Sequence, residues 1–441
     1  MAPLGIRDMP TEILILIFDY GGHLCLHERG LPFVVKASHI SRQWRSVALG
    51  TPSVWSGIPV HPLRPSLTEH YLNRSVNSPI DVYLHFHTQL KAREALTRLL
   101  EHRHRWRNLY LDAGNGGVVF IVISSLKDAG STLPLLQHFE LNFTGKSTTI
   151  GELPEIFADS SPPPKLCSLT MRGASFNLKS PAFRNATHLD LSFLPRGMGN
   201  TSYTNFSLLM GSLKKLTHLK LAGVFPKFID GVEYGDIDLP NLHTLELVMH
   251  KEEDYVPLFF GVICAPILHT LRFESRWDTT WDGLLGCIDV VSAKFAHVQN
   301  LALILSSPIM PDNITLYPEL FLGFLELRTL SVTTLHDALM MRFLLWPWMF
   351  IYQAADAYPL DDYDMMEFYD FEDTVVWPKL ELLVVRTPFD ATIDGDEGET
   401  KLEVDEALDF LGALRASLGL SLDISPRPVF ADYTPDPLDV E

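Results

Sequence analysis

Cysteine is scarce in this chain. Four of its 441 residues are cysteines, at Cys25, Cys167, Cys264 and Cys287, and no two of them form a CxxC pair. Zinc sites and disulfide frameworks need cysteines at short and recurring spacings, so neither is predicted here. We expect most of these cysteines to be small core side chains in a reducing environment.

The sequence also lacks a long apolar run. Its most apolar stretch, 343–355, is shorter than the roughly 20 residues that a membrane-spanning helix needs, and Pro347 interrupts it. The N-terminal apolar run covers only 13–18 and is followed by Asp19 rather than by a signal-peptide cleavage region. We therefore expect no membrane span, and a cytoplasmic or nuclear location.

Positive charge is in deficit. The chain has 35 Lys and Arg against 54 Asp and Glu, a net charge of −19. Most of the excess is local, because residues 352–409 contain 18 acidic and 3 basic residues. This balance argues against a nucleic-acid partner. The one basic cluster, 98–107 (RLLEHRHRWR), is best explained as a helix end with cations near its negative terminus.

Catalytic motifs are missing as well. The segment TGKS at 144–147 has the tail of a phosphate-binding loop, but Glu140 stands where that motif needs its first glycine. There is no G-x-S-x-G sequence. His85 and His87 form one histidine pair, and His102 and His104 form another. Neither pair has a carboxylate or a cysteine at metal-ligand spacing. We predict that the chain is not an enzyme and has no cofactor or metal site.

A recurring pattern dominates the rest of the chain. The spacing apolar-x-x-apolar-x-apolar occurs ten times, with steps of 20 to 30 residues and a final step of 53. The last two apolar positions lie two residues apart, so they point to one face of a strand. Stacked units of this kind bury a common core under a parallel sheet. The ten repeats begin at Trp106, Leu136, Leu166, Ala186, Leu216, Leu242, Leu268, Val298, Leu327 and Leu380.

The pattern resembles leucine-rich repeats, although the asparagine that usually follows the third leucine is mostly absent. The resemblance implies an irregular leucine-rich-repeat-like solenoid over 106–424, with a parallel sheet on one side. An ordinary α/β domain with several parallel strands is the alternative. Residues 56–105, with a strand at 81–86 and a helix at 92–100, are expected to form a transition that caps the array.

The long final step predicts an acidic insertion near 333–378. Within it, 352–373 interleaves acids with Tyr, Phe and Met, which fits either an exposed adhesive loop or a solvated disordered one. A closing helix over 403–418 and a strand over 420–424 are expected to end the array. The proline-rich tail, 425–441, is expected to be loose.

Two N-terminal segments show a different design. In the first, 9–18 (MPTEILILIF), Pro10 and Glu12 suit the first turn of a helix, and 13–18 is apolar without a break. In the second, 39–55, Ile40 and Trp44 recur at helical spacing. A helix that is apolar all round must be buried on more than one side, and a module of about 50 residues encloses little by itself. We therefore expect part of the first helix to contact another protein.

These segments resemble an F-box, whose usual pattern is Leu-Pro-x-Glu-Ile and later Val-Cys-x-x-Trp-Arg. The chain has MPTEI at 9–13 and ISRQWR at 40–45, and it continues with a segment, 48–55, that is similar to a large fungal F-box group. Met9 and Ser41 depart from the pattern, since Leu and Cys are usual there. An N-terminal helical hairpin that caps a larger domain is the alternative.

The resemblance implies an α/β protein with an N-terminal three-helix F-box at 1–55, followed by the solenoid. Its function would be that of a substrate-recognition adaptor in a Skp-cullin-F-box ubiquitin ligase, and catalysis would belong to other subunits. The alternative is a repeat scaffold that binds partners outside any ubiquitin ligase. The adaptor-docking residues would be Pro10, Ile13, Leu14, Ile17, Ile40 and Trp44.

A target protein would then bind the outward side chains of the predicted sheet. Its identity does not follow from the sequence, and the same side chains are alternatively a solvated surface without a ligand. The outward residues predicted to bind it are Arg172, His188, Asp190, His218, Lys220, Glu246, Arg272 and Glu274.

Overall fold

The computed structural model of the chain falls into two compact units. The first comprises Met1–Asn200 with Thr204–Leu216, and the second comprises Thr201–Tyr203 with Thr217–Glu441. The structure describes residues 9–24, 32–60, 64–86, 92–129, 133–145, 163–173, 181–192, 202–223, 226, 228–229, 232–249, 256–275, 291, 293–305, 324–334, 379–386 and 423–424.

The first unit begins with three helices. They are α1 (Thr11–Leu24), α2 (Phe33–Ser38) and α3 (Arg42–Gly50), and a 3₁₀ turn at Pro52–Trp55 follows them. The hydroxyl of Ser41 accepts a hydrogen bond from the backbone N–H of Trp44 at 3.1 Å and so caps α3. Ser41, which departs from the usual F-box pattern, therefore has a clear local role.

Among the described residues of the first unit, six parallel strands form the sheet, in chain order. They are β1 (Gly57–Val60), β2 (Ile80–Phe86), β3 (Trp106–Ala113), β4 (His138–Phe143), β5 (Ser168–Arg172) and β6 (His188–Ser192). The helices described alongside them are α4 (Pro65–Arg74), α5 (Ala92–Leu100), α6 (Gly116–Ala129) and α7 (Tyr203–Ser212), which belongs to this unit from Thr204 onward.

Strand β1 begins the sheet and is protected at its edge. Pro59 has no N–H to offer to a further strand, and the hydroxyl of Thr68 in α4 donates to the carbonyl oxygen of Pro59 at 3.1 Å. The segment 56–105, expected to be a cap, thus contributes the strands β1 and β2 to the sheet itself. The sheet starts at Gly57, well before the first repeat recognised in the sequence.

The described strands of the second unit are β7 (His218–Ala222), β8 (Ile237–Asp238), β9 (Thr244–Met249), β10 (Ile263–Cys264), β11 (Thr270–Ser275), β12 (Asn300–Leu305), β13 (Thr329–Thr334), β14 (Leu382–Arg386) and β15 (Asp423–Ile424). A further parallel sheet region has the order β7-β9-β11-β12-β13-β14-β15. The two short strands β8 and β10 pair with each other in parallel, and β10 directly follows the helix α8 (Val256–Val262).

The apolar pattern sets the register of both sheet regions. In the first unit Leu109 pairs with Phe139, which pairs with Leu169. In the second, Leu245 pairs with Leu271, which pairs with Leu301. These side chains are buried, as burial of one strand face requires. The predicted α/β class with a large parallel sheet is confirmed, whereas the solenoid form and the F-box identity of the helices stay predictions.

Several expectations lie outside the described residues. These are nearly all of the acidic insertion, the closing helix at 403–418 and the tail at 425–441. Within the described part of the chain, none of the helices combines the length and the apolar character needed to cross a bilayer.

Candidate functional site

The three N-terminal helices share a buried core. Leu14 and Phe18 of α1 and Trp44 of α3 are buried, and the rings of Phe18 and Trp44 lie 5.1 Å apart. At Gly21 the helices approach so closely that an added Cβ would lie 2.4 Å from the ring of Phe33. Leu14 and Trp44, both predicted to dock an adaptor, therefore hold the helices together instead of facing outward.

The opposite side of α1 presents apolar side chains to solvent. Ile13, Leu16 and Tyr20 are 43%, 64% and 70% exposed. Their spacing of three and four residues places them on one face of the helix. Ile17 is half-buried between this face and the core, and Pro10 is exposed at the start of the helix.

Ile40, between α2 and α3, is a further exposed apolar side chain of this region. Its side chain is 57% exposed where α2 ends, and the side-chain amide of Gln43 in α3 donates to the carbonyl oxygen of Met9 at 3.2 Å. This hydrogen bond brings the start of α3 beside the start of α1. We call Ile13, Leu16, Tyr20 and Ile40 the apolar row.

Sequence reasoning found only part of the apolar row. Ile13 and Ile40 were predicted to dock, whereas Leu16 and Tyr20 were not. The signal that could have found them is the helical wheel, because Leu14, Phe18 and Gly21 share one face at i, i+4 and i+7 and leave Leu16 and Tyr20 on the other.

The outward face of the first unit carries polar and aromatic side chains. Asp81 of β2 is fully buried, and its carboxylate accepts hydrogen bonds from Arg107 at 2.5 and 2.9 Å and from Asn108 at 2.8 Å. The hydrogen bond to Asp81 raises the pKa of Arg107, and the carboxylate of Asp19 in α1 acts in the same direction. A buried carboxylate paired in this way is a structural group, and breaking the pair would be costly.

Two stacked tyrosines lie on the same face. The rings of Tyr83 in β2 and Tyr110 in β3 are 4.5 Å apart with an interplanar angle of 6°, and His138 of β4 lies 5.0 Å from Tyr110. Burial is the main cause that raises the pKa of both tyrosine hydroxyls, and the charge of Asp81 adds to it. Both rings are therefore neutral, fixed groups at physiological pH.

The residues of the first unit that were predicted to bind a target fall into two kinds. Arg172 donates to Asp190 at 2.7 Å and lies 4.0 Å from Glu140, so two predicted residues are paired with each other. His188 is exposed, and its Nδ1 lies 2.9 Å from the hydroxyl of Thr187.

In the second unit, four of the predicted residues form an alternating charge network. The Nζ of Lys220 lies 3.7 Å from Glu246, and Arg272 lies 3.9 Å from Glu246 and 3.6 Å from Glu274. His218 is exposed beside the hydroxyl of Thr217. Because these charges compensate one another, the network offers little net charge to a partner, and its exposed pairs contribute little stability.

The basic cluster at 98–107 does not form one surface. Arg98 is exposed and lies near Glu94 and Glu69, at 3.5 and 4.0 Å. Arg105 is instead buried and donates to the hydroxyl of Ser75 at the end of α4, at 3.4 Å. Over the described ranges, no group of three or more His, Cys, Asp or Glu side chains is arranged to hold a metal ion.

Comparisons with known proteins give no independent assignment. No family model matches the chain, and no curated protein matches it. The F-box interpretation therefore depends on the N-terminal residues and their geometry, and it remains a prediction.

Proposed function

We propose that this protein is the substrate-recognition adaptor of a Skp-cullin-F-box ubiquitin ligase. In this proposal the segment 1–55 is an F-box that docks on the Skp-type adaptor, and the repeats over 106–424 form an irregular leucine-rich-repeat-like solenoid that binds a target protein. The ubiquitin-transfer chemistry belongs to other subunits. This chain supplies proximity between target and ligase, which is itself a large part of rate enhancement.

The apolar row is the observation that carries the proposal. Its four side chains remain exposed, whereas Leu14, Phe18 and Trp44 are buried. Full burial of an apolar side chain contributes roughly 1.5–3 kcal/mol, so a partner that covers these side chains gains binding free energy. Exposed apolar side chains grouped on one helix face, with a further one near the start of the neighbouring helix, are typical of a protein-binding site.

In this proposal the docking residues have two roles. Ile13 and Ile40, with Pro10 and the half-buried Ile17, can reach a partner directly, and Leu16 and Tyr20 join them. Leu14 and Trp44 act indirectly, because they fix the angle between α1 and α3. Tyr20 adds an aromatic anchor with a polar end, a residue type that is enriched at interface hot spots.

Copurification with purified Skp-type adaptor and cullin tests the proposal. The wild-type chain should form a stable complex with the adaptor. The double variant Ile13→Ala, Ile40→Ala should lose about 2 kcal/mol or more of binding free energy, if the row contains the central anchors. Phe120→Ala is the matched control, because Phe120 is a similarly exposed apolar residue on α6. Binding is measured by calorimetry or surface plasmon resonance.

The result that would overturn the proposal is equally definite. A wild-type chain that binds no Skp-type adaptor, or a double variant that binds it with unchanged affinity, is incompatible with docking through the apolar row. Absence of adaptor and cullin from the complex, with partners still bound, would favour the alternative of a repeat scaffold outside any ligase.

A further inference from the structure

The segment that forms α2 and α3 contains no acidic residue. Neither Asp nor Glu occurs anywhere in 29–68, although acidic residues outnumber basic ones by 54 to 35 in the whole chain. The two helices carry three cations, Lys36 in α2 and Arg42 and Arg45 in α3. This part of the molecule is therefore locally basic within a chain whose net charge is −19.

The arginines of α3 lie on its outer face. The buried side of the helix consists of Trp44, Val47 and Ala48. Arg42, Arg45 and Leu49 follow one another at spacings of three and four residues, so they share the opposite side. All three are exposed, and Leu49 is 52% exposed. We call Arg42, Arg45 and Leu49 the arginine face.

Neither arginine of this face is paired with a carboxylate. Within the part of the chain that the structure describes, the side chain of Arg42 makes no hydrogen bond and no ion pair. The Nε of Arg45 donates to the carbonyl oxygen of Ser38, the last residue of α2, at 3.1 Å, and its Nη groups have no partner there. On the sheet, by contrast, Arg107 and Arg172 each contact a carboxylate.

The stability of α3 does not account for the position of Arg42. It is the first residue of the helix, where the backbone N–H groups carry partial positive charge, so a cation is unfavourable and a carboxylate would be favourable. A negatively charged group of a partner relieves this repulsion, because it attracts both the guanidinium and the end of the helix. Arg42 therefore suits binding better than it suits folding.

The arginine face begins beside the apolar row. Ile40 of the row is 57% exposed and precedes Arg42 by two residues. The side-chain amide of Gln43 donates to the carbonyl oxygen of Met9, so the starts of α3 and α1 lie together, and Ile13 is exposed in the first turns of α1. Exposed apolar side chains next to charges of one sign are typical of a docking surface with electrostatic complementarity to its partner.

We propose that the arginine face completes the docking surface and binds an acidic segment of the Skp-type adaptor that also carries apolar residues. Carboxylates of this segment pair with the guanidinium groups of Arg42 and Arg45, and its apolar side chains cover Leu49 and Ile40. Charge complementarity selects this class of segment, since a basic one would meet like charges. The inference rests on the proposed function and deepens it, because it names the chemistry of the adaptor surface.

The rate of adaptor binding tests this inference. Arg42→Glu in the full-length chain reverses one charge without removing a contact among the described residues, and glutamate suits the first turn of a helix. Surface plasmon resonance at about 0.1 M ionic strength should show an association rate constant about fivefold or more below that of wild type. The difference should shrink at about 1 M, because salt screens the interaction between charges.

Arg93→Glu is the matched control. Arg93 is an exposed arginine in the first turn of α5, within the same compact unit, and its side chain has no carboxylate partner over the described ranges. The variant changes the net charge of the chain by the same amount, so its association rate constant should stay within about twofold of wild type. Equal slowing in both variants, or a chain that binds the adaptor equally fast with and without Arg42→Glu, would overturn the inference and leave the ligase proposal standing.

Two labelled peptides separate the inference from the ligase proposal. Both have leucines at helical spacing, and the positions between the leucines are glutamate in one peptide and lysine in the other. Fluorescence anisotropy should show that Arg42→Glu lowers the ratio of acidic-peptide to basic-peptide affinity by about tenfold, whereas Arg93→Glu changes it by less than about twofold. Circular dichroism checks that each variant keeps the wild-type fold.

The two experiments together give distinct outcomes. A wild-type chain that binds no Skp-type adaptor refutes the ligase proposal, and the peptide ratio then decides about the arginine face. A ratio that shifts only in Arg42→Glu supports this face as a site for an acidic segment. A ratio that is unchanged, or that shifts equally in Arg93→Glu, overturns the inference.

Discussion

Leu14 is a predicted docking residue that lies in the core of the N-terminal helices. It is fully buried in the core of the N-terminal helices, so Leu14→Ala should destabilise them by about 2–5 kcal/mol. Ile13→Ala, on the exposed face of the same helix, should cost less than about 1 kcal/mol. Hydrogen exchange of the peptides covering 9–24 and 32–50 measures the local opening free energy in each variant. Similar protection in both variants would contradict this division between core and surface.

The consequence for binding experiments is direct. Loss of adaptor binding by Leu14→Ala or Trp44→Ala would report the loss of the helices as well as any loss of contact. Only variants of exposed residues, such as Ile13→Ala and Ile40→Ala, separate a lost contact with the adaptor from a loss of the helices themselves. The structure thus replaces the two most obvious mutations with two that can be interpreted.

Because Tyr83 is buried, we expect the free energy of unfolding to depend on pH. Burial, first, and then the charges around it raise the pKa of its hydroxyl above the ordinary value near 10. The unfolded chain therefore loses this proton first as the pH rises. The stability that the neutral hydroxyl contributes is present below about pH 10 and decreases above it.

Comparison with Tyr83→Phe isolates this contribution. Urea midpoints of wild type and variant, measured at about pH 8 and about pH 11, give the difference between them at each pH. The wild-type midpoint should fall more steeply than that of the variant, because only wild type has this proton to lose. A difference between the two proteins that stays constant over this range would contradict the raised pKa.

At the scale of the elements, the apolar spacing predicted the strands well. Leu109 and Leu111 lie two residues apart, and so do their partners Phe139 and Leu141, which fixes both the strand and its register. The helix at Ala92–Leu100 was also predicted with the bounds it has in the structure. Local periodicity predicts these elements because burial of one face of a strand or helix requires apolar residues at a fixed spacing.

Strand β1 was not predicted, and β2 was predicted as a strand at 81–86 but as part of a capping segment rather than of the sheet. It holds the buried Asp81 on its outward side, so its burial does not alternate as it does in a half-exposed strand. The carboxylate can lie there only because Arg107 and Asn108, more than 25 residues away in sequence, supply its hydrogen bonds. Such long-range compensation is invisible in a single sequence.

The contacts within the candidate sites were likewise not predictable from the sequence. Sequence spacing grouped Arg172, Lys220 and Arg272 as outward residues, but it could not show that each of them pairs with a nearby carboxylate. Tyr110 was not selected either, since a lone tyrosine on a strand carries no motif. Its stack on Tyr83 is a property of the folded sheet.

At the scale of the whole molecule, the acidic insertion separates the last two repeats by 53 residues. The fold could depend on this insertion or be independent of it. Strands β13 and β14 are direct neighbours, with Leu330 paired to Leu383. Two ion pairs span the step, Lys379 with Glu326 at 2.5 Å and Arg328 with Glu381 at 2.8 Å. The sheet is therefore continuous across the insertion.

We expect that the insertion can be removed without loss of the sheet. A Gly/Ser linker of about ten residues can return along a strand of about 20 Å, so it can replace 337–376. The deletion removes 9 acidic residues and 1 basic residue, which changes the net charge from −19 to −11. Thermal melting and hydrogen exchange of β13 and β14 should remain close to wild type, because pairing between these strands and both ion pairs persists. Loss of hydrogen-exchange protection in β14 would show instead that the insertion packs on the sheet. Unchanged protection with weaker partner binding would identify the insertion as an adhesive loop, which its mixture of acidic and aromatic residues also allows.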